Sequence, residues 1–271
     1  MRKIFLLSLL VVSLSVNAHT KHKHHVKPKH KIHAVKNQHQ IKTLPPTVLV
    51  YNNTQHKNIV TDNADTVRPM ASITKLTTAM VALDHYSLTD KIPLNKKSSI
   101  TVEQAMTKLL VRSDNSMAEL LARNYPGGRD KFLEAMNAKA RSLNLSFTKF
   151  NDPSGLDAGN VTTATELANI VTAAGRYPFI TKITSQPEVV STNTVKNRVH
   201  TVSLPNTNRT ILFEFDNILV SKTGFTNHAG RCVAMLVDNR GEQYAIIILG
   251  EPTKQARDQV ARNLIQISSN Q

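Results

Sequence analysis

A chain of 271 residues with 40% hydrophobic content is long enough to bury a core of one or two domains. Its single cysteine, Cys232, excludes an internal disulfide framework, and the apolar, alternating stretch around it predicts a buried thiol. The formal charge of +15 is concentrated: Arg2, Lys3 and seven lysines between His19 and Lys42 account for nine of the 34 cations, leaving 25 against 19 acids in the rest. A balance that mild suits an anionic substrate or polymer and is not a nucleic-acid-binding signature.

Met1-Arg2-Lys3, the apolar run Ile4 to Val16 and the small residues up to Ala18 read as a secretory signal over residues 1–18, cleaved after Ala18. The run is short of the roughly twenty apolar residues a membrane span needs, so export and release are expected rather than anchoring. Residues 19–46 form a low-complexity arm with seven histidines, seven lysines and no acid between His19 and Lys42. With so little apolar content it is expected to be disordered. Its histidines can chelate zinc, nickel or copper, but their spacing specifies no closed metal site. Its lysines suit anionic wall or membrane polymers, and a plain solvated spacer is the alternative.

Thr47 to Tyr51, followed by Asn52-Asn53 and a return through Ile59-Val60, predicts a strand and hairpin. Leu76, Ala79, Met80 and Leu83 recur at helical spacing, so a buried helix is expected from near Ser72 to near Asp84. Thr101 to Val111 predicts a second helix with a Thr101-x-x-Gln104 capping box. It runs into Ser113-Asp114-Asn115, a short connection before helix resumes at Ser116 to Arg123. Tyr125-Pro126-Gly127-Gly128 breaks the chain ahead of an amphipathic helix from Arg129 to Leu143, with Phe132, Met136 and Leu143 on one face. Residues 151–156 are a turn-rich loop. Thr163 to Ala174 predicts a helix stopped by Gly175 and Pro178, and Glu166 is assigned to a Thr163-x-x-Glu166 capping box rather than to catalysis. Ile218 to Val220, Arg231 to Val237 and Tyr244 to Leu249 predict strands, the last two joined by the turn Asp238 to Gly241. A helix from Lys254 to Ile267 closes the chain, packing Val260, Leu264 and Ile265. The economical fold is α/β in the broad sense (α+β): an antiparallel sheet flanked by helices, with an all-helical insert, over residues 47–268.

The chemistry concentrates at Ser72 and Lys75. Residues three apart on a helix share a face, which brings the hydroxyl beside the amine. A serine hydroxyl needs a base to take its proton, and lysine serves only if burial or a second cation lowers its pKa. Alone, Ser-x-x-Lys is a weak signal, met at many helix starts. Ser113-Asp114-Asn115 and Lys222-Thr223-Gly224 downstream complete a set of three motifs characteristic of penicillin-interacting serine enzymes.

On these residues the chain resembles the serine D-alanyl-D-alanine peptidases, the low-molecular-mass penicillin-binding proteins, from about residue 47 to 268. It is most similar to the D-alanyl-D-alanine endopeptidases in Arg68 to Lys75, Tyr125 to Gly128, Met136 to Ala140, Asn206-Thr207-Asn208 and Lys222 to Asn227. The resemblance implies a β-lactamase/transpeptidase-like fold, a periplasmic location, peptidoglycan peptides as substrate, β-lactams as inhibitors, and no metal or cofactor. It implies Ser72 as nucleophile, Lys75 as its base, Ser113 as proton donor to the leaving amine, and Asn115 as the group orienting Lys75 and the substrate amide. Lys222 and Thr223 would bind the substrate carboxylate, with Lys222 also keeping Lys75 neutral. Gly224 would let substrate lie along the strand as an added β-partner, and the N–H groups of Ser72 and Phe225 would form an oxyanion hole. Asp114 reads as an N-cap. Nothing in the sequence reads as the extra C-terminal β domain that many carboxypeptidases of this family append. The expected reaction is hydrolysis of D-alanyl-meso-diaminopimelate cross-links. A D-alanyl-D-alanine carboxypeptidase, a β-lactamase (disfavoured, as no Glu-x-x-Leu-Asn motif stands out) and a non-catalytic wall- or metal-binding protein are the alternatives.

Overall fold

A computed structural model describes residues 44–195 and 198–271; the expected signal segment and the arm as far as residue 43 lie outside the described residues. The first hairpin is β1 (Thr47–Asn52) and β2 (Lys57–Asp62). A two-residue strand, β3 (Arg68–Pro69), leads into a 3-10 turn (Ala71–Thr74) and helix α1 (Lys75–His85). Then come the hairpin β4 (Lys91–Asn95) and β5 (Ser98–Thr101), and helices α2 (Val102–Val111), α3 (Asn115–Asn124) and α4 (Gly128–Ser142). A short strand β6 (Val161–Thr162) pairs with β3 and precedes α5 (Ala164–Ala174) and α6 (Pro178–Thr184). A third hairpin, β7 (Glu188–Val195) and β8 (Arg198–Pro205), is followed by α7 (Arg209–Glu214). The chain ends with β9 (Ile218–Thr226), β10 (Gly230–Asn239), β11 (Glu242–Glu251) and α8 (Lys254–Ser269).

The main sheet is antiparallel with strand order β2-β1-β11-β10-β9, so the N-terminal hairpin completes a sheet begun by the last three strands. Both faces of its centre are buried, because side chains alternate across a strand. Leu49, Cys232, Ala234, Ala245 and Ile247 join one core with α1 to α6. Val50, Val233, Met235, Ile246 and Ile248 join the other with α7 and α8. Burial on both sides explains the unbroken apolar run Ala245 to Leu249. Arg240 and Gly241 both have positive φ, 56° and 89°, the pairing a two-residue hairpin turn requires.

Local signals place the helices around the site. The Thr101 hydroxyl accepts from Gln104 N and the Gln104 side chain returns to Thr101 N, closing the capping box on α2. The Asp114 carboxylate accepts from Ser116 N at 2.8 Å and starts α3. At α5 the box is half formed. Thr163 caps Glu166 N, while the Glu166 carboxylate turns away to accept from Ser146 N, Phe147 N and the Thr148 hydroxyl. Glu166 therefore ties α5 to the turn after α4.

Three elements depart from the sequence expectation. The helix expected from Ser72 opens instead as a 3-10 turn, and α-helix begins at Lys75. Pro178 does not only end a helix; it occupies the first turn of α6, where its missing N–H costs nothing. The two lateral hairpins were not expected: β4 carries Pro93, and β7 and β8 mix their valines with Ser, Thr and Asn without a clear period. Among the described residues no helix is long and apolar enough to cross a membrane.

Candidate active site

Three elements meet around Ser72. The 3-10 turn carries Ser72, half-buried, while Lys75 one turn on is fully buried. The link between α2 and α3 carries Ser113, and Asn115 opens α3. The edge strand β9 carries Lys222, Thr223, Gly224 and Phe225. Two non-glycine residues here are left-handed, Ala71 at φ 49° and Ser113 at φ 58°. Each position costs on the order of 1 kcal/mol or more of backbone strain, stored on either side of the candidate nucleophile.

The Lys75 amine lies 2.8 Å from the Ser72 hydroxyl, 2.6 Å from Asn115 Oδ1 and 2.6 Å from the Ser154 carbonyl. Its pKa is pulled down to about 7, first by burial, against the carboxylates of Asp152 and Asp114, which favour the charged form. The sequence reading gave that task to Lys222; burial performs it. Lys222 is fully buried too, and its pKa falls well below the ordinary value through burial first, then through Lys75 and Arg257; the repulsion between the two lysines is mutual and adds to burial.

Lys222 donates to Ser113 Oγ at 2.9 Å and to the Thr223 carbonyl at 2.8 Å, so the second serine has its own lysine. The Thr223 hydroxyl donates to that of Thr207 at 2.7 Å. Asn206 and Asn208 pin this segment, Asn208 Nδ2 donating to Ser221 Oγ at 2.8 Å and Asn206 Nδ2 to the Gln186 carbonyl at 3.1 Å.

Gly224 serves a packing need within the protein. A Cβ there would stand 3.0 Å from both Ala71 Cβ and Ser72 N, so only glycine lets β9 close on the Ser72 turn without displacing it. Phe225, next along, is exposed, with the Arg231 guanidinium 3.7 Å above its ring. A cavity of about 410 Å³ opens beyond it, lined by Asn227, Arg68 and Glu251 among others.

The sequence reading missed the loop 151–160 as part of the site. Ser154 contributes through a backbone carbonyl, which has no side-chain signature; the turn-rich composition was the only sign of it. Gly155 (φ 85°) is also required, since a Cβ there would fall 2.0 Å from the Ala71 carbonyl oxygen. Cys232 is fully buried, its pKa pushed up to about 11 chiefly by burial, as befits an inert thiol. Among the described residues no group of His, Cys, Asp and Glu is arranged to hold a metal ion.

Known proteins resemble this chain. The D-alanyl-D-alanine carboxypeptidase family matches residues 82–253, a stretch that includes Ser113, Asn115 and Lys222 to Phe225 and follows Ser72 and Lys75. A D-alanyl-D-alanine endopeptidase of Escherichia coli (strain K12) is 34% identical over 215 residues, covering 72% of this chain and 67% of that protein. One from Pseudomonas aeruginosa is 35% identical over 210 residues, covering 70% and 66%. The chain thus spans about two thirds of the length of these relatives. Penicillin-binding protein D2 from Listeria monocytogenes, solved in its ampicillin-bound form, superimposes with a TM-score of 0.71 at 26% identity, covering 82% of this chain and 95% of that one. The Streptomyces K15 DD-transpeptidase gives 0.75 at 23% identity, covering 81% and 95%, a likeness of fold. The fold is that of the β-lactamase-like DD-peptidases and transpeptidases, and the chain belongs to the D-alanyl-D-alanine carboxypeptidase family of serine peptidases.

Proposed function

We propose that this peptidase is a periplasmic D-alanyl-D-alanine endopeptidase, hydrolysing D-alanyl-meso-diaminopimelate cross-links of peptidoglycan through an acyl-enzyme on Ser72. The observation that carries the reading is the hydrogen bonding of Lys75. A neutral amine has two hydrogens and one lone pair. Asn115 Oδ1 and the Ser154 carbonyl can only accept, so they absorb both hydrogens. The lone pair is left for the Ser72 hydroxyl at 2.8 Å.

In acylation, Lys75 takes the Ser72 proton as the oxygen bonds to the D-alanyl carbonyl carbon. The N–H groups of Ser72 and Phe225 receive the developing oxyanion, an interaction whose loss costs on the order of 100-fold. Gly224 beside Ser72 N supports that placement of β9. The C–N bond then breaks as Ser113 gives its proton to the departing amine, and the proton that Lys75 took from Ser72 refills Ser113, leaving the Lys75 amine neutral again. Lys75 next deprotonates a water that attacks the acyl carbonyl, and its proton returns to the Ser72 oxygen as the acyl group leaves. The leaving amine carries a carboxylate on its own α-carbon, whether it is diaminopimelate or a terminal D-alanine. That carboxylate meets Thr223 and Lys222, and its charge offsets the burial that lowers the Lys222 pKa. The same geometry accepts a β-lactam, whose amide and carboxylate mimic this arrangement. The lysines of residues 19–42 place the enzyme against anionic wall polymers, a reading supported by composition alone.

Purified cross-linked muropeptides test the substrate. Conversion of dimers to monomers is expected; release of D-alanine alone would make the protein a carboxypeptidase. Rapid turnover of a chromogenic cephalosporin, rather than a long-lived adduct, would make it a β-lactamase.

A further inference from the structure

The loop that offers the Ser154 carbonyl to Lys75 is built around one buried carboxylate. Asp152 is 6% exposed and accepts four hydrogen bonds: from Ser154 N at 2.5 Å, Ser154 Oγ at 2.8 Å, Gly155 N at 2.6 Å and Asp157 N at 2.5 Å. Burial alone would raise its pKa, but these bonds hold it below the ordinary carboxylate range, so the group stays ionised. The loop is clamped to the Ser72 turn and to α1. Asn160 Nδ2 donates to the Asp152 carbonyl at 2.8 Å and to Thr74 Oγ1 at 3.1 Å, and Thr78 Oγ1 donates to the Pro153 carbonyl at 2.6 Å. Gly155 lies directly against the Ala71 carbonyl.

We propose that Asp152 is a positioning residue for the Ser72–Lys75 pair: its carboxylate shapes the 152–157 turn so that the Ser154 carbonyl takes one hydrogen of the Lys75 amine and leaves the lone pair facing Ser72. The proposal rests on Ser72 being the nucleophile. Without the four bonds to Asp152, the Ser154 peptide is free to turn, and the amine loses one of the two acceptors that aim it. Asp152 also acts through its charge. The titratable groups that bear on Lys75 are Asp152 from this loop, Asp114 from the start of α3 and Lys222 from β9; from the 3-10 turn the amine meets the neutral Ser72 hydroxyl. Asp152 is the stronger of the two carboxylates that oppose the lowering of the Lys75 pKa. It therefore keeps the base from becoming too weak while holding its partner in place.

The test is acylation of the full-length protein by a fluorescent penicillin, followed as a function of pH in Asp152→Asn and Asp152→Ala, with thermal unfolding measured beside it. Asp152→Asn keeps an acceptor oxygen and removes the charge, so the acid limb of the acylation rate should move to lower pH by about half a unit or more. Asp152→Ala also removes the shape of the turn, and its plateau rate should fall about 10-fold or more beyond that of Asp152→Asn. A purely structural Asp152 would lower the unfolding temperature and leave the acid limb unmoved in both variants, which overturns the proposal. Should Asp152→Ala not fold, the limb in Asp152→Asn decides alone. Labelling that survives Ser72→Ala overturns the nucleophile assignment and this proposal together; an unmoved limb with Ser72-dependent labelling overturns this proposal only.

Discussion

The site holds two serine–lysine pairs of nearly equal length, and their surroundings differ. Lys75 sits 2.8 Å from Ser72 and Lys222 sits 2.9 Å from Ser113. Around Lys75 stand two neutral carbonyl acceptors, and the charges of Asp152 and Asp114 partly counter its burial, which leaves its pKa at about 7. Around Lys222 stand one carbonyl and two basic groups, Lys75 and Arg257, the latter already paired with Asp258. In the proposed reaction the first pair is complete as it stands and suits proton transfer, while the second takes up a substrate carboxylate. On that reading the same two side-chain types serve as a base in one place and an anion receptor in the other, by what is packed against them.

The largest expected effects separate the pairs. Ser72→Ala should abolish covalent penicillin labelling and reduce cross-link hydrolysis by about 10⁴-fold or more. Ser113→Ala should slow acylation by about 100-fold or more while Ser72 still becomes labelled, as loss of a proton-transfer group does. The reverse pattern in a peptide map of the adduct would exchange the two roles. Lys222→Met should weaken transition-state binding of carboxylate-bearing peptides by between about 10- and 100-fold, and that of their amidated counterparts far less. Calorimetry in buffers of different ionisation enthalpy should show net proton uptake by the wild-type protein on binding a carboxylate ligand, and none by Lys222→Met.

The acylation rate should rise with pH through a midpoint of about 7, because Lys75 acts as base only when unprotonated, and fall tenfold per unit below it. The same shift bears on stability. The folded state holds fewer protons on Lys75 than the unfolded chain between about 7 and the ordinary 10.5. This group's contribution to unfolding free energy therefore increases with pH across that window, by up to about 1.4 kcal/mol per unit. The smallest effect on activity belongs to Glu166. Glu166→Gln should lower stability by about 1–3 kcal/mol through the donors of Ser146, Phe147 and Thr148, with acylation and deacylation rates unchanged. A selective loss of deacylation would instead give this carboxylate a place in the chemistry.

What the sequence made legible follows from how each feature is encoded. Helices α2 and α3 announce themselves by caps, Thr101 and Asp114, whose side chains bond within three residues of their own position. The central strands are visible because both faces are buried. Ser72, Lys75, Ser113, Asn115 and Lys222 act through side chains at recognisable spacings. Asp152 and Ser154 were not legible: one works by folding a loop, the other by a carbonyl that any residue could offer. The reach of Gly224 toward Ala71 depends on two segments about 150 residues apart, which no local pattern records. The side hairpins escaped because Pro93 interrupts one and the polar residues mixed among the valines of the other leave no clear period.

The position of β9 at one end of the sheet has a further consequence. A terminal strand offers its unpaired backbone groups to any extended chain, with no regard for its side chains. A peptide ladder formed there cannot tell wall fragments from unrelated polypeptides or from another copy of this protein. Discrimination has to come from what waits at either end of the docked segment: a receptor that wants one carboxylate, and a hydroxyl that reacts only when a carbonyl carbon arrives within its reach. Loss of either check would turn a selective hydrolase into a sticky surface.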